Sequence, residues 1–176
     1  MKRRIIFLDF DGVLNSVRTA TAEQRVQRTT HVQHNVTMGR KVDSGFDIIA
    51  VKLLWRIIEK TDAYIVISSS WRKNLNLASL RAIFSSEFDW PSGAEQRIIG
   101  VTGGSARGHR GTEIQNWIDD HTVGIKNFQY VILDDSADML DHQFPRFVQT
   151  DAYEGLLYKD YKKVLALFQI DDEEFE

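Results

Sequence analysis

Short apolar runs and longer amphipathic segments take turns along this chain. Ile5, Ile6, Phe7 and Leu8 form a run too short for a helix, cut off by Asp9-Phe10-Asp11-Gly12. That pattern predicts a buried strand delivering two carboxylates into a loop. Ala63-Tyr64-Ile65-Val66-Ile67, Arg97-Ile98-Ile99-Gly100-Val101 and Gln129-Tyr130-Val131-Ile132-Leu133 predict further strands, and Arg146-Phe147-Val148-Gln149 a short last one. Helical spacing fills the intervals. Phe46, Ile49, Ala50, Leu53, Leu54 and Ile57 recur behind Ser44, a cap with Asp47 three residues on. Leu77, Leu80, Ile83, Phe84 and Phe88 predict a helix that stops before Trp90-Pro91. Ile114, Trp117 and Ile118 follow a capping box of Thr112 and Gln115, and Tyr158, Tyr161, Val164, Leu165 and Phe168 predict a C-terminal amphipathic helix.

Strands alternating with helices predict a three-layer α/β fold around a central parallel sheet. One stretch breaks the alternation. Residues 15–45 have no apolar period and carry Arg18, Arg25, Arg28, Arg40 and Lys41 against Glu23 and Asp43. The expectation is a flap or cap insertion after the first strand, within a single domain of residues 1–176. His31 and His34 within it have the spacing of a helical ligand pair but no third ligand nearby, which favours solvated histidines.

Composition narrows the classes. At 176 residues with two prolines, the chain suits one domain with a substantial core. A formal net charge of -3 is no general nucleic-acid signature, which leaves the 15–45 segment as a local basic island. The absence of cysteine excludes disulfides, thiolate metal sites and cysteine nucleophiles. Met1-Lys2-Arg3-Arg4 has the charge of a secretion signal's start, but its apolar stretch ends at Asp9. No run approaches the roughly 20 apolar residues that span a bilayer. A soluble, cytoplasmic protein without a membrane partner or an obligate protein partner is expected.

The chemistry gathers where predicted strands end. In a period of two, Asp9 and Asp11 point to the same side and repel unless a cation or proton intervenes. The second strand ends in Ser68-Ser69-Ser70-Trp71-Arg72. Its hydroxyls either donate to a phosphoryl oxygen or cap the next helix, Arg72 can fork onto an anion, and Trp71 reads as packing. The fourth strand ends in Asp134-Asp135-Ser136-Ala137-Asp138. Asp138 can bind metal or orient Asp135 or a loop cation. The glycine-rich loop from Thr102 to Gly111 brings Arg107 and Arg110, each able to reach into a site or to stay a solvated charge. In an open parallel sheet these ends converge where ligands bind, and an all-oxygen acidic cluster suits Mg²⁺.

Asp9-Phe10-Asp11-Gly12-Val13-Leu14-Asn15, Ile67-Ser68-Ser69-Ser70-Trp71-Arg72, Arg110-Gly111-Thr112-Glu113-Ile114 and Ile132-Leu133-Asp134-Asp135-Ser136-Ala137-Asp138 resemble the four ordered motifs of the haloacid dehalogenase (HAD) superfamily of phosphatases. The Ser-Trp-Arg ending and the helix with Glu113, Trp117 and Ile118 look most like the subgroup of RNA-repair (Swiss Army Knife) proteins. The resemblance implies a Rossmann-like HAD fold and a Mg²⁺-dependent phosphomonoester hydrolase. It makes Asp9 the nucleophile that forms an aspartyl-phosphate and Asp11 the acid and base. Mg²⁺ would be held by Asp9, the Asp11 carbonyl and Asp134 or Asp135. Ser68, with Ser69 as rival, would donate to the phosphoryl group, and Gly12, Ser69 and Arg72 would line the substrate. The third motif usually carries Lys; Arg110 matches best, with Arg107 as rival. The substrate expected is a phosphorylated small molecule, a nucleotide or a nucleic-acid end. The alternatives are a phospho-accepting domain, against which the first-strand Asp and the missing late Lys argue, and a catalytically silent binding module.

Overall fold

The computed structural model describes residues 3–22, 45–87, 90–106, 108–125 and 127–172. Five strands form one parallel sheet: β1 (Arg3–Leu8), β2 (Tyr64–Ile67), β3 (Ile98–Val101), β4 (Phe128–Asp134) and β5 (Phe147–Gln149). Their spatial order is β3-β2-β1-β4-β5, which puts the first strand at the centre. Among the described residues five helices accompany them: α1 (Val17–Ala22), α2 (Ile48–Thr61), α3 (Leu77–Glu87), α4 (Arg110–His121) and α5 (Tyr158–Phe168). The expected α/β architecture is therefore present.

Alternation along β1 sorts the core into two layers. Ile6, Leu8 and Phe10 enter the larger cluster, with Leu54 and Ile57 of α2, Ile83 and Phe84 of α3, and Val164 and Phe168 of α5. Ile5 and Phe7 face the other way, onto Ile114 and Trp117 of α4. Asp9, next in the odd series, continues the α4 face. The register carries this across the sheet, because Leu8 lies opposite both Ile67 and Leu133, and Ile67 opposite Val101. One further hydrogen bond extends each ladder: Ser68 N–H donates to the Leu8 carbonyl at 2.9 Å, Asp9 N–H to Leu133 at 3.0 Å and Thr102 N–H to Ile67 at 2.9 Å. Asp9, Ser68 and Asp134 thus share one level and one face at the carboxyl edge, beside the start of α4.

Several elements differ in detail from the sequence reading. Asp47 itself caps α2, accepting from Ile49 N–H at 2.8 Å, and Ile49 is exposed; the buried stripe is Ala50, Val51, Leu54, Ile57 and Ile58. Arg110 opens α4 behind His109, so Thr112 lies inside the helix and caps nothing. Arg146 belongs to a 3-10 turn, and the last strand begins at Phe147. The 15–45 stretch holds α1, whose Val17 and Arg18 N–H groups donate to the carbonyls of Ala152 and Tyr153 at 3.1 and 3.0 Å. Ser44, Arg25, Arg28, His31, His34, Arg40 and Lys41 lie outside the described residues, as does Arg107. Among the described residues no helix is long and apolar enough to cross a membrane.

Gly111, in the first turn of α4, has no room for a side chain. A Cβ there would meet the Leu140 backbone nitrogen at 2.6 Å and the Met139 Cα at 2.9 Å. Backbone cannot rotate away as a side-chain tip can. Gly111→Ala is therefore expected to lose about 1–3 kcal/mol of stability, the usual cost of overpacking, as measured by urea denaturation. A wild-type midpoint would contradict the close approach.

Candidate active site

β1 and β4 end side by side, so their acids meet. Asp9, Asp134 and Asp135 each bring a carboxylate oxygen within 4.8 Å of the others, and Asp9 and Asp134 are buried. The Arg110 guanidinium reaches in from the start of α4, with Nη1 2.9 Å from Asp134 Oδ2 and 3.4 Å from Asp9 Oδ1. Among the described residues, three acids beside this cation leave local negative charge. Burial, then the charge of Asp9, pushes Asp134 up to about 7, with Arg110 opposing; the same two causes raise Asp135. A cluster of oxygen ligands carrying unbalanced negative charge is the donor set that a hard divalent cation such as Mg²⁺ takes.

Arg110 is itself held from behind. Its backbone N–H donates to Asp138 Oδ2 at 2.9 Å, Asp138 Oδ1 lies 2.9 Å from His109 Nε2, and Gly111 N–H donates to the Asp138 carbonyl at 2.8 Å. Asp138 thus orients the loop cation, one of the roles left open for it.

Gly12 makes the acid cluster possible sterically. Its φ of +76° suits glycine, and a Cβ would fall 2.4 Å from the Asp135 Cγ. Its N–H donates to Asn15 Oδ1 at 3.2 Å and its carbonyl accepts from Thr150 Oγ1 at 2.8 Å. Gly12 was expected to line the substrate; both of its backbone groups already have partners within the protein. Asp11, exposed at the mouth, accepts from Asn15 Nδ2 at 2.9 Å on Oδ1 and from Trp71 Nε1 at 3.0 Å on Oδ2.

The hydroxyl strand end separates into distinct roles. Ser68 Oγ is fully buried with no hydrogen-bond partner among the described residues, which makes it a donor awaiting an acceptor. Ser69 Oγ instead accepts from Trp71 N–H at 3.4 Å and caps the 3-10 turn of residues 70–73.

Arg72 departs from the expectation of a forked substrate contact. Nε donates to the Thr102 carbonyl at 3.0 Å, Nη1 to the Ser68 and Ser69 carbonyls at 2.5 and 2.7 Å, and Nη2 to the Gly103 carbonyl at 3.4 Å and to Glu113 Oε2. All five N–H donors of a guanidinium are then engaged inside the protein. Burial lowers the Arg72 pKa from its ordinary value, and the Glu113 charge opposes that. Glu113 Oε1 in turn accepts from Ser105 N–H at 3.1 Å. Sequence reasoning assigned Glu113, Asn15 and His109 no role of their own, and no local spacing links Arg72 to an acid on α4.

The HAD domain model of Swiss Army Knife RNA repair proteins matches residues 5–161. A solved structure of a predicted HAD-like family hydrolase from Porphyromonas gingivalis is similar at 15% identity and a TM-score of 0.48, covering 94% of this chain and 98% of that one. No curated protein matches the chain.

Two predictions follow the electrostatics. In metal-free protein Asp134 binds its proton more tightly folded than unfolded, so its contribution to stability is full below 3.8 and is lost as pH rises to about 7. Thermal melts in chelator should fall across that window, and Asp134→Asn should flatten the fall; parallel curves would contradict the shift. Arg72→Ala should cost about 3–5 kcal/mol, because it strands buried Glu113 without its partner. Double-mutant denaturation with Glu113→Gln should recover part of that loss.

Proposed function

This chain belongs to the HAD domain family of Swiss Army Knife RNA repair proteins, and from that membership we propose that it is a Mg²⁺-dependent phosphomonoester hydrolase acting through Asp9. The observation that carries the reading is the Asp9–Asp134–Asp135 cluster, its first two acids buried, facing Arg110 at the carboxyl edge of the sheet. The Ser68 hydroxyl at the neighbouring strand end, without a partner among the described residues, supports it.

A carboxylate oxygen of Asp9 attacks phosphorus, and the ester P–O bond breaks with its electron pair leaving on the ester oxygen. Asp11 gives that oxygen a proton. Asp11, now a base, takes a proton from water as the water oxygen attacks phosphorus and the bond to Asp9 breaks. Asp9 returns as a carboxylate and inorganic phosphate leaves. Ser68 donates to a phosphoryl oxygen, and Arg110 offsets its charge. Mg²⁺, held by Asp9, the Asp11 carbonyl and Asp134 or Asp135, would supply the charge neutralisation that lets a carboxylate approach a phosphate dianion.

The substrate class we favour is a nucleic-acid end phosphate. The RNA-repair membership and the basic island of residues 15–45 both support a polyanionic substrate. Phosphate release should be assayed on small metabolites, mononucleotides and oligonucleotides phosphorylated at the 3′ or 5′ end, with Mg²⁺ and with chelator. Asp9→Asn should abolish turnover and Asp11→Asn should lower kcat by about 10²- to 10⁴-fold. Equal release by wild type and Asp9→Asn would refute the mechanism. Equal kcat/KM on mononucleotides and oligonucleotide ends would remove the substrate class while leaving the mechanism in place.

A further inference from the structure

Asp11 is exposed, and the terminal torsion of an exposed aspartate is broad. A proton donor that must meet one departing oxygen gains from being held in one orientation. Two side chains hold this one. Asn15 Nδ2 donates to Oδ1 at 2.9 Å, while Asn15 is itself fixed by accepting from Gly12 N–H at 3.2 Å. The second donor is Trp71 Nε1, 3.0 Å from Oδ2 and 60 residues away in sequence.

The indole is an unusually rigid donor. Trp71 is 2% exposed and sits in an aromatic cluster, edge-on to Phe10 at 5.5 Å and 83° and tilted against Phe46 at 5.6 Å. Those contacts account for the ring. The remaining polar atom of the side chain, a donor without acceptor capacity, points out of the core onto Asp11. A phenylalanine would fill most of the same space without that bond.

We infer that Trp71 is a positioning residue for Asp11, using an indole anchored in the core to aim the carboxyl at the leaving oxygen. The inference rests on the reading of Asp11 as proton donor. Protonation matters most when the leaving group is a basic alkoxide and least when it is a weakly basic nitrophenolate. A loss of aim therefore falls unevenly on the two kinds of ester, whereas a general loosening of the fold falls on both alike.

The test compares wild type and Trp71→Phe on an alkyl phosphate and on p-nitrophenyl phosphate. The alkyl-to-aryl ratio of kcat/KM should drop by about 10-fold or more, and an unchanged ratio would overturn the inference. A second measurement needs neither turnover nor a stable Trp71 variant. The Trp71 indole N–H resonance, assigned by its contacts to the rings of Phe10 and Phe46, should move upfield and exchange faster in Asp11→Ala; an unmoved resonance likewise overturns it. If wild type releases no more phosphate than Asp9→Asn from either ester, the hydrolase reading itself fails and takes the inference with it. A wild type active on both esters with an unchanged Trp71→Phe ratio removes the inference alone.

Discussion

Mutual repulsion among Asp9, Asp134 and Asp135 is the constraint around which the carboxyl edge of the sheet is built. Burial removes the water that would screen these charges, and parallel register forbids the two strand ends from moving apart without breaking the β1–β4 ladder. The acids are therefore held together by backbone hydrogen bonds rather than by their carboxylates, and their charge must be met from outside the sheet. Arg110 meets part of it, and a cation held by the three carboxylates would meet the rest. Even the missing side chain at Gly12 serves this arrangement, since any Cβ would collide with Asp135.

Arg72 plays the opposite part. Its guanidinium draws the carbonyls of Ser68, Ser69, Thr102 and Gly103 to one point and ties them to Glu113 on α4. A buried ion pair of this kind is weak evidence of net stability, because desolvating both charges offsets much of their attraction. Its clearer effect is geometric. Two loops and a helix that approach the site from different parts of the chain share one anchor, so Ser68 and Arg110 are referenced to the same frame.

What could be read from the sequence was whatever repeats locally. The apolar run before Asp9, the helical stripes of α2 and α5 and the acidic end of β4 each declare themselves within a few residues, and with them the α/β architecture and the meeting of acids at strand ends. What escaped depends on partners distant in sequence. The box of Thr112 and Gln115 marked the wrong start for α4, because Asp138, 28 residues away, takes the Arg110 N–H and lets the helix begin earlier. Arg72 looked like a free cation since its acid lies 41 residues on. Six residues of α1 are too few to show a period, and that helix is held by the carbonyls of Ala152 and Tyr153. Trp71 read as packing, and its ring is; no spacing announces where an indole N–H will point.

The place of β1 at the centre of the sheet bears on biosynthesis. One of its edges is met early by β2, but the other waits for β4, and the bond from Thr150 to the Gly12 carbonyl joins residues 138 apart. At about 5–20 residues per second, a ribosome takes roughly 6–25 s to supply β4, whose Phe128 pairs with Arg3. Throughout that interval a strand with no polar side chain between Ile5 and Leu8 has an unpaired edge. The acids at its end have neither Asp134 beside them nor Arg110 to oppose them until α4 and then β4 emerge. A chain stalled before β4 would therefore present a sticky strand rather than a partial site, with an edge open to pairing with other chains.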